Sequence, residues 1–176
     1  MNDQKKKLIL KGRGAVYVDW ANVYGWKKTL KREVDPEKLF KYFKEYDNIS
    51  DIYFYFGTDN NEKSQNFLKE MDNLGYKVVT KPVKYIFVTN IEDQKIYRRK
   101  CDFDMEVCID VHQGIKENYD SFIFLTGDGD YEPLYKMLIN LGKQVIVIYS
   151  KNHLGREIWN MKKGIFKIEL KNLLYL

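Results

Sequence analysis

The sequence is poor in cysteine and histidine, with two residues of each among 176. Cys101 and Cys108 stand seven positions apart in a segment with helical periodicity, which separates their backbones by about 10 Å, too far for a disulfide. The chain has no Cys-x-x-Cys pair, and two histidines do not complete the ligand pattern of a structural zinc site. We therefore expect two reduced thiols, at least one of them packed in a core.

Long apolar runs are also missing. No stretch approaches the roughly 20 residues that cross a bilayer, and the apolar segment Leu8–Leu10 is too short for a signal-peptide core. We expect a cytoplasmic protein without a membrane partner. A length of 176 residues, of which 44% are hydrophobic, suits one core and excludes intrinsic disorder. The predicted organisation is a basic N-terminal tail over residues 1–13 and a single domain over residues 14–176.

The charge balance is only mildly basic, because 30 Lys and Arg residues oppose 25 Asp and Glu residues and leave a net charge of +5. This balance leans toward polyanionic partners but does not establish nucleic-acid binding by itself. The positions of the charges carry more information. Nothing in the sequence fixes the oligomeric state, and a homodimer is compatible with it.

Short β-rich runs alternate with longer amphipathic segments, a rhythm that favours an α/β fold whose parallel sheet is covered by helices on both faces. The predicted strands are Ala15–Asp19, Ile52–Phe56, Lys77–Thr80, Tyr85–Thr89, Phe122–Thr126 and Gln144–Tyr149. The predicted helices begin at Asp35-Pro36 and cover Glu62–Leu74, Asp104–Lys116 and Glu132–Leu141.

Three further expectations concern the second half of the chain. On the helix Asp104–Lys116, the residues expected to face the core are Met105, Cys108, Ile109 and either His112 or Val111. The stretch Thr89–Lys100 is expected to form a hairpin or loop that projects from the body. From Trp159 onward we expect a small strand and a terminal helix.

Two predicted strands run directly into acidic residues. Asp19 ends the first apolar strand, and Asn22 follows three positions later. The strand Phe122–Thr126 leads into the run Gly127-Asp128-Gly129-Asp130 just before a helix. Each motif alone also fits a turn or a helix cap, because an Asp side chain accepts hydrogen bonds from the backbone N–H groups found there.

A third acidic segment opens the helix Asp104–Lys116. Asp102 could cap this helix, whereas Asp104 heads its apolar face, and Asp110 lies about 120° away around the helix and is expected to be solvated or secondary. Three separate segments thus bring carboxylates to one expected edge of the sheet. Because like charges repel at short range unless a cation lies among them, the sequence predicts a Mg²⁺ or Mn²⁺ site.

In their order and spacing, these motifs resemble a known family. The runs that carry the resemblance are Val16-Tyr17-Val18-Asp19, Lys100-Cys101-Asp102-Phe103-Asp104, Thr126-Gly127-Asp128-Gly129-Asp130 and Leu141-Gly142-Lys143-Gln144. They look like a NYN domain of the LabA-like branch of the PIN-like nucleases, over roughly Ala15–Tyr149. The resemblance implies a three-layer α/β/α sandwich with a mostly parallel central sheet, an acidic pocket, and ribonuclease activity that depends on Mg²⁺ or Mn²⁺.

The resemblance also implies roles for individual residues. The implied metal ligands and catalytic acids, with Asn22 as their polar partner, are Asp19, Asp104, Asp128 and Asp130. The choice between Asp102 and Asp104 stays open, although the six-residue gap from Asp104 to Asp110 matches the family pattern better. Thr126 and Gly127 would shape the floor of the pocket.

Metal-assisted hydrolysis of RNA follows from such a pocket, because a bound ion lowers the pKa of a water and neutralises charge on the phosphate. Basic residues near the acidic segments could grip RNA phosphates on either side of the cleaved bond. These residues are Arg98, Arg99, Lys100, Lys27 and Lys28. Runs of this kind also occur on ordinary solvated surfaces.

Three other functions compete with this one. A two-histidine ribonuclease would need His112 and His153 together, but they fall in a helix and in a loop. A haloacid-dehalogenase-like phosphohydrolase would need a second aspartate two residues after Asp19, where Ala21 stands. A non-catalytic RNA-binding or scaffold protein stays open, because a fold does not fix an activity.

Overall fold

A computed structural model describes residues 7–91 and 94–173 of the chain. The strands are β1 (Gly14–Asp19), β2 (Ile49–Thr58), β3 (Lys77–Pro82), β4 (Lys84–Ile91), β5 (Gln94–Lys100), β6 (Ser121–Leu125), β7 (Gln144–Tyr149) and β8 (Ile165–Glu169). The helices are α1 (Trp20–Gly25), α2 (Lys27–Leu30), α3 (Pro36–Lys44), α4 (Glu62–Leu74), α5 (Asp104–Lys116), α6 (Glu132–Asn140) and α7 (Arg156–Asn160). Single 3₁₀ turns cover Gly129–Tyr131 and Leu170–Asn172.

Six strands form one parallel sheet in the order β3-β2-β1-β6-β7-β8, and β4 and β5 form a separate antiparallel hairpin. In the middle of the sheet, Val16 of β1 pairs with Ile52 on one side and with Ile123 on the other. The chain first builds the sheet outward from β1 through β2 and β3, and then returns to the opposite side of β1 as β6. The order of the strands therefore reverses between β1 and β6.

The sheet has an apolar core on each face, because successive side chains of a strand point to opposite sides. Val16 and Val18 pack in one core with residues of α1, α3 and α4. Ala15 and Tyr17 pack in the other core with residues of α5, α6 and α7. This layering confirms the expected α/β/α sandwich with a parallel central sheet.

Local sequence signals fix several helix ends where they were predicted. Asn61 caps α4 by accepting a hydrogen bond from the Ser64 N–H at 2.8 Å, and Gly75 ends it with φ of 103°, a conformation that favours glycine. Asp35 caps α3 in the same way, with Pro36 as the first helical residue. The predicted bounds of α4, α5 and β7 agree with the structure.

The predicted inward face of α5 is only partly right. The buried residues of this helix are Val107, Val111 and Gly114, whereas Met105 and Ile109 are 70% and 63% exposed. Apolar residues lie on two opposite faces of α5, and positions 105 and 107 differ by about 200° around the helix. Which face is buried depends on packing against the sheet, which periodicity cannot specify. Of the expected residues, Val111 is buried, Cys108 is partly buried and His112 is exposed.

The ends of the chain and the hairpin follow the sequence only partly. The expected hairpin is the β4–β5 pair, and its residues 92 and 93 lie outside the described residues. The small C-terminal strand is β8, but a 3₁₀ turn stands where a terminal helix was expected, and residues 174–176 are not described. Within residues 7–91 and 94–173, no helix has the length and apolar character of a membrane span.

Part of the segment assigned to the N-terminal tail contacts the domain. Residues 1–6 lie outside the described residues, but the Leu8 side chain is buried and its N–H donates to the Tyr46 hydroxyl at 2.9 Å. The Lys11 N–H donates to the side chains of Ser121 and Gln144. Residues 8–11 thus lie against the end of the sheet opposite to Asp19.

Gly127→Ala is predicted to destabilise the fold. A β-carbon at Gly127 would overlap the carbonyl oxygen of His153, and backbone on both sides leaves no room for adjustment. We expect a loss of at least about 2 kcal/mol in the free energy of unfolding, measured by chemical denaturation. Gly25→Ala is the matched control, since its β-carbon meets nothing within 4 Å. Equal denaturation midpoints for the two variants would contradict this prediction.

Candidate active site at the carboxyl edge of the sheet

The first acidic segment lies at the junction of β1 and α1. Asp19 Oδ1 accepts a hydrogen bond from the Asn22 N–H at 3.2 Å, and Asp19 Oδ2 accepts one from Asn22 Nδ2 at 3.3 Å. Asp19 therefore caps α1, as one interpretation of the sequence allowed. The same residue stands at the carboxyl end of β1. The order of the strands reverses between β1 and β6, and such a reversal leaves a crevice at the carboxyl ends of the two strands. Asp19 therefore caps α1 and also borders this crevice.

The loop after β6 is tied directly to this junction. The Thr126 hydroxyl donates to Asp19 Oδ2 at 3.4 Å, and the Gly127 N–H donates to Asn22 Oδ1 at 3.2 Å. The Asp128 N–H in turn donates to the Thr126 hydroxyl oxygen at 3.2 Å. Hydrogen bonds thus join the two segments that the sequence predicted to meet.

Asp128 and Asp130 occupy the start of the 3₁₀ turn. Asp128 Oδ1 accepts a hydrogen bond from the Asp130 N–H at 3.0 Å, so Asp128 also has a capping role. The Asp128 side chain is partly exposed, and Asp130 is exposed. Asp128 is therefore placed in the crevice and Asp130 at its rim.

The third segment reaches the same region through Asp104, the first residue of α5. Its carboxylate accepts a hydrogen bond from the hydroxyl of Tyr131, on the 3₁₀ turn after β6. The predicted alternative, Asp102, is exposed and forms an ion pair with Lys100 at 3.4 Å. Asp110 accepts a hydrogen bond from the Tyr55 hydroxyl at 2.8 Å. The structure thus brings Asp104, and not Asp102, into contact with the second acidic segment.

The electrostatics show that Asp19 and Asp104 have acidic neighbours from other segments. Burial raises the pKa of Asp19, and the negative charges of Asp128 and Asp104 raise it further. Burial likewise raises the pKa of Asp104, with a further increase from Asp128. A carboxyl pKa rises when the charged form lacks solvation and has anionic neighbours. The arrangement accumulates negative charge that a cation would relieve.

The carboxylates do not form a ready-made metal centre. Among residues 7–91 and 94–173, no group of three or more His, Cys, Asp or Glu side chains is close enough to hold an ion. Asp19 turns toward Asn22 and Thr126, while Asp104 turns toward Tyr131. The donors fit a hard divalent cation by their chemistry and by their place at one edge, but side chains would have to rotate to share it.

Sequence reasoning missed two residues that adjoin these acids. Tyr131 is buried and contacts Asp104. Its position in the sequence, one residue after Asp130, does not by itself indicate this contact. Glu157, on α7, lies so close to Gly129 that a β-carbon there would overlap its carboxylate. This contact exists because the Gly155 N–H donates to the Gly127 carbonyl at 2.7 Å, a long-range link that no local pattern encodes.

The predicted basic residues are mostly engaged in side-chain interactions. Arg99 forms an ion pair with Asp59 at 2.6 Å, and Lys27 contacts the Tyr24 hydroxyl at 2.7 Å and Glu33 at 3.4 Å. Lys100, as described above, pairs with Asp102. The two remaining members of the set are Arg98, which is exposed, and Lys28, which lies at the surface of α2. The basic residues therefore lie at the surface, and several of them are held in place by acids.

The two histidines have separate partners. His112 Nδ1 lies 2.8 Å from the carbonyl oxygen of Cys108, and His153 Nε2 lies 2.8 Å from the Thr29 hydroxyl. Among the described residues, neither imidazole is hydrogen-bonded to the other or to an acid of the crevice. The structure therefore offers no support for a two-histidine mechanism.

A groove of about 640 Å³ opens next to α1, and none of Asp19, Asp104, Asp128 and Asp130 lines it. Trp20 and Ala21, which directly follow Asp19, line one part of it, and Asp59 and Arg99 line another. The groove thus connects the first acidic segment with the base of the β4–β5 hairpin.

Three comparisons place this architecture among known proteins. The family model of the NYN domain matches residues 13–166. The chain is 25% identical over 150 residues to the low amplitude and bright protein LabA of Synechococcus elongatus, an alignment that covers 84% of this chain and 79% of that protein. A crystal structure of a protein of unknown function from Vibrio parahaemolyticus shares the fold with a TM-score of 0.69 at 20% identity, covering 96% of this chain and 100% of the other.

The family match includes all three acidic segments, since it begins before β1 and ends within β8. It agrees with the resemblance that the motifs carry and with the observed order of elements. By its sequence and its fold, the chain belongs to the NYN domain family.

Proposed function

We propose that the protein is a ribonuclease that uses Mg²⁺ or Mn²⁺ to hydrolyse RNA phosphodiester bonds. NYN domains belong to the PIN-like nuclease superfamily, which supports a nuclease-related role. The observation that carries the proposal is that acids from three segments meet at one edge: burial raises the pKa of Asp19 and of Asp104, and the negative charge of Asp128 raises both further. Three segments that bring their acids into one crevice make a site that a cation would stabilise.

In this proposal Asp19, Asp104 and Asp128 hold the ion, and Asp130 assists from the rim. A bound ion would supply an acidified water and neutralise charge on the phosphate. Asn22 holds Asp19 in orientation through two hydrogen bonds. Thr126 and the Gly127 backbone keep the two strand ends at a fixed separation.

A second candidate function is RNA binding without cleavage. One observation favours it: each carboxylate already has a local hydrogen-bond partner, and the described residues hold no preassembled ion site. A domain that has lost turnover would keep the fold and the caps. The two candidates differ in whether RNA is cut when a divalent metal is added.

Replacing the acids should abolish cleavage. We expect Asp128→Asn and Asp104→Asn to lower Mn²⁺-dependent cleavage of single-stranded RNA by about 100-fold or more, because each removes a charge that holds the ion. Asp47→Asn is the matched control, since this aspartate precedes β2 at the opposite edge of the sheet. Gel assays with Mn²⁺, Mg²⁺ and EDTA measure the effect. RNA that stays intact with the unaltered protein would favour the second candidate.

The charge repulsion should also be visible in thermal stability. The pKa values of Asp19 and Asp104 are raised in the folded state, so protonation favours folding: this stabilisation is complete below the ordinary Asp pKa of about 3.9 and is lost as pH rises through the raised values. Asp128→Asn removes one anionic neighbour and keeps an oxygen to cap Asp130. We expect it to raise the melting temperature of the metal-free protein by about 2 °C at pH 7.5, with solvent screening limiting the gain.

That gain should be smaller at pH 4.5, closer to the ordinary Asp pKa, because the raised pKa values of Asp19 and Asp104 make these groups take up protons before other aspartates do. Differential scanning fluorimetry in EDTA measures it. Millimolar Mn²⁺ should raise the melting temperature of the unaltered protein more than that of Asp128→Asn. A stabilisation that is the same at both pH values would contradict the electrostatic explanation.

The exposed cations are proposed to contact RNA phosphates. Arg98→Ala combined with Arg99→Ala should weaken RNA binding and flatten its salt dependence, by roughly 0.7 in the logarithmic slope for each phosphate that is no longer neutralised. Fluorescence anisotropy at several salt concentrations measures both effects. Arg98→Ala alone removes one positive charge and keeps the ion pair between Arg99 and Asp59. It therefore distinguishes the loss of a phosphate contact from the loss of the link between the hairpin and the domain. An unchanged slope in the double variant would refute this role of the two arginines.

A further inference from the structure

The β4–β5 hairpin stands apart from the central sheet. Its residues 84–90 and 94–100 are exposed on both strands, and a two-stranded ribbon of this kind is only marginally stable by itself. Two contacts anchor its base to the body: the Tyr85 hydroxyl donates to Asp59 Oδ1 at 2.8 Å, and Arg99 pairs with Asp59 Oδ2. The hairpin therefore has a defined orientation relative to Asp59.

One face of the hairpin is rich in exposed rings. The cross-strand pairs Tyr85↔Arg99 and Phe87↔Tyr97 alternate with Ile86↔Arg98, so Tyr85, Phe87, Tyr97 and Arg99 share a face, which we call the aromatic face. Tyr85, Phe87 and Tyr97 are 57%, 52% and 50% exposed. Three half-exposed rings on one short ribbon are unusual for a surface without a partner.

The aromatic face leads into the groove next to α1. Arg99 belongs to both, and Asp59, which anchors Tyr85 and Arg99, lines the groove. The groove wall also includes Trp20 and Ala21, the two residues that follow Asp19 in the chain. A ligand that lies along the aromatic face can thus continue through the groove toward the acidic crevice.

The charges of the hairpin indicate a polyanion. The described residues 84–91 and 94–100 include five Lys and Arg residues and no Asp or Glu, and the two residues between these ranges are acidic, which leaves the segment with a net charge of +3. Protein interfaces are enriched in aromatic residues and arginine but depleted in lysine. Single-stranded nucleic acids bind where cations follow the backbone and aromatic rings stack on bases, and the positive charge of the hairpin favours this second kind of partner. Lys95 and Arg99 lie on the aromatic face beside its rings, whereas Lys84, Arg98 and Lys100 lie on the opposite face of the same two-stranded ribbon. The aromatic face thus offers rings for bases and two cations for phosphates.

The groove fits a base better than a phosphate. Its volume lies within the roughly 300–1,000 Å³ of small-molecule sites. Its wall includes the rings of Phe56 and Phe67 and the carboxylates of Glu33 and Asp59. Asp59 already accepts from Tyr85 and Arg99, and Glu33 pairs with Lys27. The preference for a base therefore rests on the rings, which stack on a base and offer a phosphate no hydrogen bond.

We propose that the aromatic face and the groove together bind single-stranded RNA, with bases stacked on Phe87 and Tyr97 and one base inside the groove. This inference rests on the proposed function, because it takes RNA as the substrate. The strand then passes Ala21 and presents a phosphate to Asp19. Duplex RNA is excluded from this path, since its bases are already stacked and paired.

Binding measured without cleavage tests the inference. With a fluorescein-labelled 12-nucleotide RNA in EDTA, Phe87→Ala combined with Tyr97→Ala should weaken binding at least about tenfold and leave the salt slope unchanged. The matched control is Ile86→Ala combined with Ile96→Ala, which removes two exposed apolar side chains from the opposite face and should change binding less than about twofold. Phe87→Trp combined with Tyr97→Trp should retain binding, because it keeps the rings.

The groove has its own test. Ala21→Leu reduces the space next to Trp20 and should weaken binding of the single strand, while binding of a 12-base-pair duplex, weaker from the start, should stay unchanged. Melting temperatures of all variants establish that the fold is intact. Equal affinity of the single strand for the unaltered protein and the aromatic-face variant would overturn the inference.

The outcomes separate this inference from the proposed function. Tight binding of the single strand with the expected losses, but no cleavage in Mn²⁺, supports the binding surface and refutes the nuclease. Cleavage in Mn²⁺ that persists when Phe87 and Tyr97 are replaced supports the nuclease and refutes the binding surface. If the protein binds no RNA and elutes as a dimer that Phe87→Ala combined with Tyr97→Ala dissociates, then the face joins two copies of the chain and the inference is wrong.

Discussion

Parallel hydrogen bonding on both sides of β1 determines where every acidic group of the site lies. The chain fills the sheet on one side of β1 and returns on the other as β6, so the connections leaving these two neighbours diverge. A crevice opens where they part. Asp19 ends β1, and Asp128 lies in the loop after β6. Asp104 comes from the first residue of α5. The site is therefore a consequence of strand order more than of any single motif.

The acidic crevice lowers the free energy of unfolding, and the burial of side chains in the two apolar cores offsets this loss. Buried carboxylates with anionic neighbours are unfavourable when ionised, as the raised pKa values of Asp19 and Asp104 show. Hydrogen bonds from Asn22, Thr126 and Tyr131 compensate part of this loss. These same bonds hold each carboxylate away from a shared position, which explains how an acidic site can exist without a preformed ion cage.

Local signals made much of the fold predictable, and long-range contacts account for the rest. The caps at Asn61 and Gly75 mark the ends of α4, and apolar runs mark the strands. The buried face of α5 was mispredicted because two apolar stripes compete and only the sheet chooses between them. The three acidic segments could be assigned to one edge because two of them follow the ends of apolar strands and the third opens a helix. Tyr131 and Glu157 could not be found, since each reaches the site through contacts that sequence spacing does not encode.

The Thr126 hydroxyl has a single proton and serves both strand ends at once. It donates that proton to Asp19 and accepts a hydrogen bond from the Asp128 N–H. If Asp19 turned to coordinate a cation, the hydroxyl proton would need another acceptor, while the oxygen could still accept from the Asp128 N–H. Under the proposed function, the orientation of one carboxylate would thus depend on that of its counterpart through one shared oxygen atom.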